Sequence, residues 1–160
     1  MTVEERYTLE EAHREFAKQT NGLVWNLLGK TDRTPAEDEE MECAAFASLH
    51  HWLQVGTEVH HQRAELLISH LYTELGKAGP AIKHANRCLE LTEEYKSQME
   101  DFDIAYAHEG MARANALSGN REVARNHLEL AESSRKAISN EEDKKIFMDD
   151  LNGGDWYGIS

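Results

Sequence analysis

Nine histidines stand out in a chain of 160 residues, and four of them, His50, His51, His60 and His61, flank one predicted turn at Gly56-Thr57. Neutral imidazole is a common ligand for transition metals. Across an antiparallel hairpin, residues 51 and 60 fall roughly level, so a site could draw on His51, His60 or His61. Neighbouring helical residues point about 100° apart, however. No HExxH motif and no pair of ExxH motifs accompanies them. The reading is histidines on a solvated face or packed at a hairpin end, with no metal and no cofactor. The alternative is a metal- or small-molecule-binding protein, or an enzyme, built on the hairpin 50–61.

Other reactive groups are few. Cys43 and Cys88 form no CxxC pair and are expected to be buried packing residues. GxSxG, GxxxxGKS/T and GxGxxG are all absent, so the chain reads as non-catalytic. Asp+Glu number 30 against 17 Lys+Arg, a formal charge of −13. Such a surface repels a nucleic-acid backbone and an anionic membrane face. No apolar run approaches the roughly 18–20 residues of a membrane helix. The acidic start MTVEERYTLEEAHREF is expected to be helical and lacks the pattern of a secretory signal. With only two cysteines, a reduced cytoplasmic protein is expected. Protonation of all nine histidines would bring −13 to −4, so solubility should fall between pH 7.5 and 5.5.

The elements that must position these residues are helices. Apolar residues recur at i, i+3 and i+4, and the two prolines and ten glycines fall at regular stops. Seven helices are predicted. Helix one, from about Thr8 to Leu28, opens with a Thr8/Glu11 capping box, and Thr20-Asn21-Gly22 is a candidate bend or break. Helix two opens with a Thr34/Glu37 box and proline at its first position, and stops at Gly56. Helix three runs from Thr57 to Gly76, and helix four begins near Pro80. Helix five follows Asp101 and ends at Gly119. Helix six starts at Asn120, and helix seven at Ser139 with a Ser139/Glu142 box. Short connections force sequential helices to pack antiparallel. Trp25 and Trp52 fall in or beside apolar stripes and are expected in the core.

Two stretches repeat: LGKAGPAIKHANRCLEL (75–91) and LSGNREVARNHLELAES (117–133). Gly76 precedes Ala81 and Cys88 as Gly119 precedes Ala124 and Ala131. Small residues at these points let paired helices approach closely, and the glycine allows the turn between them. The pairs resemble tetratricopeptide repeats, the first carrying Gly76, Ala81, Ile82, Cys88, Leu89 and Leu91, with Ile68 and Tyr72 in its first helix. Glu65 occupies the family's usual tryptophan slot and Ser69 its usual glycine slot. The repeats lie 43 residues apart (Ala81 to Ala124), against the family's usual 34 or so. Through AAFASLHHWLQVG, HANRCLELTEE, FDIAYAHEGMARANALSG and DLNGGDWYGI the sequence also resembles a group of small bacterial proteins of this type, which implies no activity.

The resemblance implies an all-α fold of antiparallel helical hairpins stacked as a short α-solenoid. It would be one domain, 1–160. An N-terminal hairpin (8–56) precedes two tetratricopeptide-like repeats (57–133), and a capping helix with an aromatic tail follows (139–160). It also implies a concave face formed by the first helix of each repeat, lined by Arg63, His70, Tyr106, Glu109 and Arg113. The expected function is a protein-interaction scaffold binding a peptide or partner helix there. Arginine could pair a partner carboxylate in fork geometry, which leaves room for an acidic peptide. The tail Asp155–Ile159 is expected to dock in cis; its exchange between two copies would give a homodimer.

Overall fold

The computed structural model describes residues 6–159. The first five residues of the predicted acidic helical start, and residue 160 of the tail, lie outside the described residues. Among the described residues there are seven α-helices, one short 3₁₀ turn and no strand. The helices are α1 (Leu9–Leu28), α2 (Pro35–Val55), α3 (Glu58–Glu74), α4 (Ala78–Glu94), α5 (Asp101–Ser118), α6 (Arg121–Arg135) and α7 (Glu141–Asn152). None is long and apolar enough to cross a membrane.

Helix starts follow local chemistry. Thr8 and Glu11 exchange hydrogen bonds at the head of α1, and Thr34 and Glu37 do so at α2. These boxes satisfy backbone N–H groups that have no partner within the helix. The structure changes four expectations. At α7 the cap is Asn140, which accepts from the Asp143 N–H at 3.0 Å, rather than Ser139 with Glu142. At α5 it is Glu100, whose own N–H donates to Asp103 at 3.0 Å. Helix α4 starts at Ala78, with Pro80 in the first turn where a missing N–H costs nothing. Helix α1 is continuous through 20–22: the helical ladder carries on through Gly22, and the Thr20 hydroxyl donates to the Phe16 carbonyl at 2.6 Å within the helix instead of capping a break.

Consecutive helices pack closely in antiparallel pairs. In the α3–α4 pair, Gln62 meets Thr92, Glu65 meets His84 and the Ser69 hydroxyl donates to the Ala81 carbonyl; partners descend as residues ascend. One buried cluster joins α1 to α5 through Val24, Met41, Ile68, Leu71, Ala85 and Met111. A second, with Ala105, Ala131, Ile138, Phe147 and Leu151, seats α7 on α5 and α6. The tail closes a third with Ile159 against Ala116 and Ala124. It docks within its own chain, as expected: Arg121 donates to the Gly158 carbonyl and the Trp156 indole N–H to the Leu151 carbonyl.

Candidate functional site

A groove runs over α3 and α5, with α1 on one side and α7 on the other. It holds two adjoining cavities, of about 380 and 260 Å3, which share Trp25, His70 and Asp150. The larger is lined by Trp25, Leu66, Leu67, Phe102, Tyr106 and Ile146, an apolar and aromatic wall with polar groups at its edge. All five residues named from the sequence line this groove: Arg63, His70 and Tyr106 in the larger cavity, His70, Glu109 and Arg113 in the smaller. Helical spacing brings Arg63, Leu67 and His70 to one side of α3, and Tyr106, Glu109 and Arg113 to one side of α5.

Their polar atoms are engaged with one another rather than free. Arg63 grips Asp103 with both arms of its fork, Nε to Oδ1 at 2.8 Å and Nη2 to Oδ2 at 3.0 Å. That hydrogen bond holds the guanidinium pKa above its usual value. Glu109 is 2% exposed and lies between His70 Nε2, at 2.7 Å, and Arg113 Nε. Burial alone would raise the Glu109 pKa, but His70 and Arg113 together hold it down at about 2. This is therefore no ordinary surface i, i+4 pair.

Arg113 continues into the C-terminal segment. It donates to the carbonyls of Asp150 at 2.7 Å and Gly153 at 3.0 Å, and its guanidinium sits 4.1 Å from the Trp156 ring centroid. Gly154, at φ +71°, lets the chain turn this close; a β-carbon there would come within 2.6 Å of Arg113 Nη1. Tyr106 donates its hydroxyl to Asp150 and packs edge-on against Phe147. Burial first, then that bond, push its phenol pKa up. Each arginine thus has its charge matched inside the fold, Arg63 by Asp103 and Arg113 by Glu109.

The groove contains residues that sequence reasoning missed. Trp25 is 52% exposed and is not a core residue. It stands at the junction of the two cavities and lines both. Ile146, Asp149 and Asp150 come from α7, whose seat on α5 is set by Phe147 and Leu151. Cys43 is exposed on α2, whereas Cys88 is buried and its thiol pKa pushed up by burial.

The histidines at 50–61 separate into two groups: the His50 and His51 rings lie 5.3 Å apart beside His13 of α1, away from His60 and His61 in their own contacts. His51 Nδ1 faces His13 Nδ1 of α1 at 2.8 Å, and His60 stacks on Trp52 at 4.1 Å between ring centroids. His61 lies 3.4 Å from Glu65. Burial, then His13 and His50, lower the His51 pKa; burial, then Arg63, lowers that of His60. Among the described residues no three His, Cys, Asp or Glu side chains are grouped so as to hold a metal ion. Compared with family models, with curated proteins and with solved structures, the chain gives no match.

Proposed function

We propose that this protein is a non-catalytic scaffold that binds a peptide segment or partner helix in the groove between α1 and α7. The carrying observation is an open aromatic wall over a fixed polar floor. Trp25 and Ile146 are each about half exposed at its rim, while Arg63, Glu109 and Arg113 are immobilised by internal pairs below. Large apolar side chains kept in solvent beside a rigid floor are what a docked segment uses for affinity. A non-catalytic role is supported by the same pairing, which ties up Arg63, Asp103, Glu109 and Arg113.

The tetratricopeptide reading belongs to this proposal. Gly76 and Gly119 both take positive φ, +71° and +82°. The N–H of Lys77 closes on the Tyr72 carbonyl at 2.8 Å, and that of Asn120 on the Asn115 carbonyl at 2.9 Å. Ala81, Ala124, Cys88 and Ala131 are all fully buried. The two hairpins thus repeat their turn and their small-residue contacts 43 residues apart. The observation that favours a small-molecule ligand instead is the larger cavity's volume, which falls within the roughly 300–1,000 Å3 of ligand pockets.

The test is affinity capture with the full chain as bait, beside a Trp25→Ala, Ile146→Ala bait. Both residues are exposed, so the double variant should melt within about 1 kcal/mol of the parent. A partner held by the parent and lost by the variant is expected. Partners captured equally by both would overturn the groove assignment.

A further inference from the structure

The groove's charges do not cancel. Its two cavities are lined by five carboxylates, Glu74, Asp103, Glu109, Asp149 and Asp150, against two guanidiniums. Asp103 is matched by Arg63, Glu109 by Arg113 and His70, and Glu74 has Arg33 at 3.7 Å. Asp149 and Asp150 form no side-chain ion pair among the described residues; the Asp150 carboxylate accepts the Tyr106 hydroxyl, while its backbone carbonyl accepts from Arg113. Both are exposed, adjacent, and in the last turns of α7, where no basic side chain stands. A carboxylate at a helix C-terminus opposes the macrodipole, so the pair does nothing for the stability of α7 itself. It stands beside the apolar wall of Trp25, Phe102, Tyr106 and Ile146.

We infer that the segment this groove takes is cationic: a bulky apolar residue seated in the larger cavity, with a lysine or arginine beside it paired to Asp149 and Asp150. The inference rests on the groove being a binding site and adds the sign of its ligand. It reverses the acidic partner that two arginines suggest in the sequence, since both are neutralised within the fold. Apolar burial supplies affinity, and the uncompensated carboxylates select the charge. The chain's overall charge of −13 points the same way, so the experiment must separate local from general attraction.

A random 12-residue peptide library is selected on the immobilised full-length protein. Enriched peptides are then synthesised with a dye and titrated by fluorescence anisotropy. Peptides joining Lys or Arg to a large apolar residue should emerge. Their affinity should fall about five- to tenfold on Asp149→Asn with Asp150→Asn, as two partly exposed ion pairs imply, and hold on Glu39→Gln with Glu40→Gln. Asparagine keeps an acceptor for Tyr106, so the fold is spared. Enriched peptides that need Trp25 but are indifferent to the Asn pair overturn the cationic inference and leave the groove standing. Equal losses on the Asn pair and on the remote Gln pair also overturn it, as general charge attraction. No enrichment, or peptides indifferent to Trp25→Ala, overturns the groove and the inference together.

Discussion

The hairpins α3–α4 and α5–α6 carry the same turn and the same small-residue contacts, yet differ in the polar pair that crosses each. In the first, Glu65 accepts from or pairs with His84 Nδ1 at 2.6 Å. In the second, the positions 43 residues on are His108 and His127, whose Nδ1 atoms face each other at 3.1 Å. A carboxylate accepts a hydrogen bond from an imidazole in either protonation state. Two imidazoles bond only while one Nδ1 lacks its proton. Burial, then His127, lower the His108 pKa, and burial lowers that of His127. One helical frame thus carries a carboxylate–imidazole pair and an imidazole–imidazole pair, and the second requires an Nδ1 without its proton. The same shift relates His70 to Arg113, and both converge on Glu109.

The comparison breaks hardest at that last point. Arg113→Ala should cost about 3–5 kcal/mol, because it leaves Glu109 short of its cation and frees the α7 carbonyls and Trp156. His70→Ala should cost about 1–2 kcal/mol, since Arg113 remains on Glu109. Urea unfolding measures both; an equal or larger cost at His70 would show that Arg113 is not the anchor. Next, Glu65→Ala should cost about 2–3 kcal/mol, as two imidazoles lose an acceptor they share, and His108→Ala about 1–2 kcal/mol. The reverse order would mean that the imidazole pair, and not the carboxylate pair, is the stronger crossing contact.

The pH profile sharpens the contrast. His108, His127 and His51 have folded pKa values below their ordinary 6.5, so the unfolded chain takes up protons first. Stability should therefore be full above about 6.5 and decline as pH falls below it. Glu109, held at about 2 against an ordinary 4.5, adds a further loss only below about 4.5. Replacing both His108 and His127 by Leu should reduce the fall in melting temperature between pH 7 and 5, leaving the share of His51. An unchanged slope in that variant would move the acid sensitivity elsewhere. Smallest of all, Gly76→Ala and Gly119→Ala should each cost about 1 kcal/mol, because each holds positive φ. Thermal melts that differ by more than that between the two would deny them a common turn.

Helix ends were legible where capping is local. Thr8 with Glu11 and Thr34 with Glu37 need only their own three-residue spacing. Thr20-Asn21-Gly22 misled because local propensity is a weak signal beside the packing of α1 along α2. On the α3 and α5 side, the groove residues were legible because 3.6-residue periodicity fixes a face. The opposite walls were not, since Trp25 and Asp150 face the groove only through how α1 and α7 pack. The histidine pairings were hidden for a related reason. His13 meets His51 only once α1 lies on α2, and Glu65/His84 and His108/His127 carry a signal only as two couples each 19 residues apart.

By itself the sequence determined seven helices, their order, the repeated turn at Gly76 and Gly119, and the overall negative charge. Those follow from interactions within a few residues along the chain, or from simple counting. Only the tertiary structure decided the sign of the groove. Arg63 reads as a free cation until Asp103 is brought against it from 40 residues away, and Arg113, one turn from Glu109 on its own helix, until His70 and the Asp150 and Gly153 carbonyls close on that pair. Charge neutralisation depends on distance in space, and that is set by helix packing.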